Sequence, residues 1–80
     1  HKVEDNIMRT EYFVSVINET LNDGSTLGPY DSREECKQFI SGHNKLLKNP
    51  KVIFISDDKI IYRGNDMVIC YEIIIKEVNK

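Results

Sequence analysis

The chain is 80 residues long, 40% hydrophobic and 30% charged, with a formal net charge of -2. That length supports one core and one domain. The slight acidic balance argues against a general affinity for nucleic acid or anionic membranes, and is far too small for imitation of DNA by surface charge. Neither a run of 18 apolar residues nor an amino-terminal apolar h-region is present, so no membrane-spanning helix and no signal peptide are expected.

His1 to Thr10 (HKVEDNIMRT) is polar with isolated apolar residues and carries no period, so residues 1–10 are predicted as a flexible arm ahead of one domain over residues 11–80. Tyr12 to Ile17 (YFVSVI) is β-branched and aromatic with apolar residues on both parities, which predicts a central strand. Asn22-Asp23-Gly24-Ser25 signals a tight turn, across which Leu21 would meet Thr26 and Thr20 would meet Leu27. Gly28-Pro29 should end the returning strand, because Pro cannot donate to a ladder. Asn18-Glu19-Thr20 fits the N-glycosylation sequon, which matters only in a eukaryotic secretory route; otherwise it is the edge of the hairpin.

Ser32 and Glu35 form an S-x-x-E capping box. Asp31, Glu34 and Glu35 place negative charge at the start of the following segment, and Lys45 and Lys48 place positive charge late in it, as a helix dipole favours. Cys36, Phe39, Ile40, His43 and Leu47 recur on one helical stripe. The spacing predicts one amphipathic helix running through Gly42 and ending before Pro50, with closure at Gly42 as the alternative.

Lys51 to Val78 reads as three strands joined by two-residue turns at Asp57-Asp58 and Asn65-Asp66. Two-residue loops would pair Ile55 with Ile60, Ile53 with Tyr62, Gly64 with Met67, Tyr62 with Ile69, and Ile60 with Tyr71. One face then holds Ile53, Ile55, Ile60, Tyr62, Ile69, Tyr71, Ile73 and Ile75. The other holds Val52, Phe54, Ile61, Val68, Cys70 and Ile74, along with Arg63, Glu72 and Lys76. The expected fold is α+β in the order β-β-α-β-β-β: a hairpin, one amphipathic helix, then a three-stranded antiparallel meander.

One helix can cover one side of such a sheet, and the side with Tyr62 and Tyr71 suits it. The other side is left with little chain to cover it, unless the first hairpin folds across it as in a small barrel. Soluble monomers rarely expose one apolar patch beyond about 300–600 Å². Val52, Phe54, Ile61, Arg63, Val68, Glu72 and Ile74, or the edge of the long last strand, are therefore expected to meet a protein partner or a second copy.

Little chemistry is legible. Cys36 and Cys70 lack C-x-x-C spacing and read as buried thiols of a reducing cytoplasm, with a helix-to-sheet disulfide as the alternative. Cys36 and His43 share a helix face but stand two turns apart, about 10 Å, too far to grip one zinc ion, so no metal site is expected. The serines occupy strand, turn or cap contexts, the acidic residues gather in turns, and the four glycines form no phosphate loop. No enzymatic activity, cofactor or small-molecule substrate is expected. A nucleic-acid surface is the competing expectation: Lys45, Lys48 and Lys51 cluster at the helix end, and Lys59, Tyr62 and Arg63 lie around the next hairpin.

Ala and Trp are absent while Ile, Asn, Lys and Asp abound, a bias toward A/T-rich codons shared by many bacteria, their phages and some eukaryotic parasites. The expected role is a small non-catalytic protein-binding module, an inhibitor or assembly factor, working in a bacterial cytoplasm or, if phage-encoded, that of the host.

Overall fold

The Asn65-Asp66 turn fixes how the last two strands meet. In the computed structural model, which describes residues 8–79, both residues take positive φ (54° and 60°). That twist matches a two-residue hairpin. Gly64 therefore faces Met67, Tyr62 faces Ile69 and Ile60 faces Tyr71, as predicted. The elements are β1 (Met8–Asn18), β2 (Asp23–Tyr30), α1 (Arg33–His43), a 3₁₀ turn (Asn44–Leu46), β3 (Lys51–Ile55), β4 (Lys59–Gly64) and β5 (Met67–Asn79). They form one α+β domain with a single antiparallel sheet in the order β2-β1-β5-β4-β3.

β5 is the middle of the sheet. It pairs with β1 from Met8↔Asn79 to Asn18↔Ile69 and with β4 on its other side. The expected free edge of the last strand is therefore confined to its distal half. β4 covers that side only from Met67 to Glu72. Ile73 donates its N–H to the Asp58 carbonyl, and beyond it β5 has no partner strand on that side among the described residues. Pairing with the far end of β5 also draws Met8, Arg9 and Thr10 into β1, out of the expected arm; residues 1–7 lie outside the described residues. The first hairpin extends the sheet edgewise and does not fold across it.

The β1–β2 loop differs from the predicted turn. Strand pairing runs up to Asn18↔Asp23, so the loop is residues 19–22 and Asn22, with φ of 57°, supplies the left-handed residue that Gly24 was expected to provide. The sequon is absorbed into this loop. Asn18 Oδ1 accepts from the Leu21 N–H, its amide lies 3.2 Å from Met67 Sδ, and Thr20 Oγ1 accepts from the Val68 N–H. β2 also continues through Gly28-Pro29, which form a bulge: Val14 faces Leu27, but Tyr12 faces Tyr30. Pro is tolerated there because β2 is an edge strand. Gly28 has φ of 135°, and a Cβ on it would lie 2.9 Å from the Tyr12 carbonyl oxygen, so the kink depends on glycine.

α1 begins at the expected cap. Ser32 Oγ accepts from the Glu35 N–H, while the Glu35 carboxylate reaches back to the Asp31 N–H, one residue before the usual capping-box partner. The helix passes through Gly42 and ends at His43; the predicted run toward Pro50 becomes a 3₁₀ turn, yet Leu47 still packs on the core. No neighbouring atom lies within 4 Å of a Cβ placed on Gly42. Gly42→Ala should therefore raise stability by about 0.5–1 kcal/mol, seen as a higher urea midpoint at constant slope.

The helix packs over β1, β2 and β5. Val14, Tyr71 and Cys36 are fully buried at this contact, joined by Ile40, Ile69 and Ile73. A run of aromatic contacts crosses the layer: Tyr30–Phe39, Phe39–His43, His43–Tyr71 and Tyr71–Tyr62, with ring centroids 5.3–6.0 Å apart. His43 Nδ1 lies 2.7 Å from the Tyr71 hydroxyl, so the buried phenol is satisfied. Cys36 belongs to this layer, whereas Cys70 faces Ile17 and Ile61 on the opposite side of the sheet, so the two are free thiols and the disulfide alternative falls. Among the described residues no helix is long and apolar enough to cross a membrane.

Candidate docking surface

An α-helix with its side chains is about 10 Å across, and strands are spaced at about 4.8 Å. One helix thus shelters two or three strands of five. α1 sits toward the β2 side, and β3 is left bare on both faces and along its outer edge. All five of its residues are exposed, with Val52 at 49%, Ile53 at 53%, Phe54 at 47% and Ile55 at 68%. Edge strands of soluble proteins are normally shortened, charged or covered. This one carries four large apolar residues in succession.

The backbone of β3 is irregular. Ser56 donates its N–H to the Lys59 carbonyl (2.8 Å), closing a two-residue loop at Asp57-Asp58. Neither residue has positive φ. Such a loop splays its strands, and β3 carries a bulge: Ile55 faces Ile60 and Phe54 faces Ile61, but Val52 faces Tyr62, leaving Ile53 as the extra residue. Directly opposed residues share a face. Val52, expected on the uncovered face, therefore lies on the helix side with Tyr62 and Ile55, and Ile53 does not pair with Tyr62.

On the uncovered face an apolar row crosses four strands, Ile17–Cys70–Ile61–Phe54. The next row is polar, Ser15–Glu72–Lys59. Beyond it Phe13 faces Ile74, with Lys76 Nζ 5.5 Å from the centre of the Phe13 ring. The continuous patch expected from the sequence is thus divided. Of the residues named for it, Phe54 and Ile61 stand together at the β3 edge. Glu72 belongs to the dividing row and Ile74 lies past it. Val68 faces Arg63 at the far end, where the β1–β2 loop binds both its N–H and its carbonyl.

On the helix side, a groove of about 570 Å³ separates α1 from the β3–β4 hairpin. Ile60, Tyr71 and Ile73 form its floor, Ile40 one wall and Ile55 the other. An Arg33–Asp58 ion pair ties the helix to the β3–β4 turn. Exposed apolar surface therefore continues from Ile61 and Phe54, around the strand edge, to Ile55 and into the groove. Ile53 and Ile55 are the residues that sequence reasoning missed, having assigned them to a face covered by the helix. The width argument above points to them only once β1 is placed beside β5, which leaves β3 as an edge.

The basic residues are only partly united. Lys51 directly faces Arg63, and Lys48 is held nearby by donation of its N–H to Asn65 Oδ1 (3.2 Å). The close approach of the 47–50 connector requires Gly64, where a Cβ would lie 3.0 Å from Leu47 Cβ. Lys45 is exposed on the 3₁₀ turn. Lys59, however, starts β4 beside the acidic turn and faces Glu72, and Tyr62 packs edge-to-face on Tyr71. The grouping predicted for nucleic acid is split between two ends of a hairpin. Burial pushes both cysteine thiols up from their ordinary value; at Cys70 the Lys59 charge opposes this and Glu19 and Glu72 add to it, while at Cys36 Glu35 adds and Arg33 opposes. Both are thereby held as thiols, the less nucleophilic form. No family model, curated protein or solved structure matches the chain.

Proposed function

We propose that this chain is a small non-catalytic protein-binding module whose docking surface is the β3 edge with the apolar surface on either side of it. The observation that carries the reading is the run Val52-Ile53-Phe54-Ile55, four consecutive large apolar side chains about half exposed on an edge strand. Covering such surface yields about 25 cal/mol per Å² before association costs, and an unpaired strand edge adds backbone hydrogen bonds. A role as inhibitor or assembly factor in a bacterial or phage-infected cytoplasm suits a module with a large sticky edge and a small core. Nucleic acid is the weaker occupant, because Lys48, Lys51 and Arg63 form a small cluster without Lys59 or a stacking aromatic.

A photoreactive side chain incorporated at position 55, with the protein made in its native host, tests the reading. A discrete protein adduct is expected from position 55 and none from position 34, which is exposed on α1. Phe54→Asp should remove the adduct while the far-ultraviolet spectrum stays unchanged. No adduct, or equal adducts from both positions, overturns the assignment.

A further inference from the structure

Building on β3 as the docking edge, we infer that its occupant is a second copy of this chain, paired antiparallel through β3 across a two-fold axis normal to the sheet. Three observations select this occupant. First, the strand is electrically polar along its length. One end carries Lys51 with Arg63 opposite it, and the other runs into exposed Asp57. Antiparallel pairing sets the basic end of each copy beside the acidic end of the other, twice, whereas parallel pairing would oppose like charges.

Second, the bulge at Ile53 would throw a regular partner strand out of step, which is how bulges normally protect an edge. A second copy carries the same irregularity. With Val52 of each copy opposite Ile55 of the other, the two Ile53-Phe54 segments lie on either side of the axis and bulge meets bulge. Val52 and Ile55 both belong to the helix side by their pairing with Tyr62 and Ile60, so apolar side chains meet there. Phe54 meets Phe54 on the other side. In this register Lys51 falls beside Ser56 and Asp57 of the second copy.

Third, the apolar area approaches what a specific pair needs. Four half-exposed side chains of this size present on the order of 400 Å² per copy, close to the roughly 500 Å² per partner at which a specific interface begins. The polar ends of the strands supply the remainder. The product is a ten-stranded sheet with both helices on one face, in which the two apolar grooves adjoin across the seam.

The test is sedimentation equilibrium of the full chain over a concentration series at low salt, with Lys51→Asp and Asp57→Lys. Both residues are exposed, so both variants should keep the wild-type circular dichroism. Wild type should dimerise. Each variant alone sets like charges together twice and should self-associate about tenfold more weakly. A one-to-one mixture of the two variants restores unlike pairs at both contacts, and should recover dimer to within about threefold of wild type. A wild type that stays monomeric overturns the proposal, and so does a mixture that associates no better than its components. The mass of the position-55 adduct separates the two readings: an adduct of twice the chain mass supports the second copy, an adduct with a different protein overturns the second copy while keeping the docking edge, and the absence of any adduct overturns both.

Discussion

Tyr71→Ala is expected to unfold the chain at room temperature. A domain of this size has on the order of 4–12 kcal/mol of net stability. Removing a fully buried aromatic side chain costs about 3–5 kcal/mol. The loss of its hydroxyl also leaves His43 Nδ1 without the 2.7 Å partner, about 1 kcal/mol more. Tyr71→Phe isolates that second part and should lower the urea-derived stability by about 1 kcal/mol with the fold retained. The same residue governs the alkaline limit. Burial, and secondarily Tyr62, pushes the Tyr71 phenol up to about 12. The unfolded chain then releases this proton near pH 10, before the folded one does, so the native state holds the extra proton between pH 10 and 12 and stability falls as pH rises through that window. The contribution, on the order of 2 kcal/mol, is complete below pH 10 and absent in Tyr71→Phe. Urea midpoints of the two proteins measured from pH 9 to 12 should converge, and parallel curves would show that Tyr71 titrates normally.

Tyr62→Asp should nearly abolish folding, whereas Ile55→Asp, one strand away on the same side of the sheet, should change the stability of the monomer, measured at concentrations below any self-association, by no more than about 0.5 kcal/mol. Tyr62 packs edge-to-face on Tyr71 with ring centroids 5.8 Å apart and lies between Val52 and Ile69. A carboxylate there forfeits the aromatic contact and is pressed against apolar neighbours, a combined cost of about 3–5 kcal/mol. Ile55 is mostly in solvent, and an acid there displaces almost nothing. Equilibrium urea unfolding of both variants checks the contrast. Unfolding by Ile55→Asp or Phe54→Asp would mean that β3 serves its own core, and the docking reading would fall with it.

Elements governed by local rules were legible. The β4–β5 register follows from alternation and a turn that needs positive φ at Asn65 and Asp66, and the start of α1 follows from Ser32 and Glu35. What depended on distant or degenerate choices was not. Large apolar residues occur at both parities in residues 51–55, so side-chain type carries no record of the extra residue at Ile53, and alternation alone places Val52 on the wrong face. The β1–β5 ladder joins residues 51 to 71 positions apart, a pairing no local pattern announces. That ladder makes β5 central and leaves β3 as an edge. In the first hairpin, Gly24 drew the turn toward itself although Asn22 takes the left-handed conformation, because the loop's place is decided by Glu19 and Thr20 binding Val68 of β5. The candidate site was half legible for the same reason: Phe54 and Ile61 follow from alternation, whereas Ile53 and Ile55 depend on how far across the sheet the helix reaches.

The kink in β2 reaches beyond its own strand. With Gly28 and Pro29 bending one border of the sheet and Asp23, Ser25 and Thr26 placing polar side chains along it ahead of Leu27, strand addition at that border is disfavoured. A lattice of sheets needs two adhesive borders per unit. A unit with one terminates as soon as that border is taken, so pairing through β3 on the proposed axis would end in a finite pair and not in a fibril.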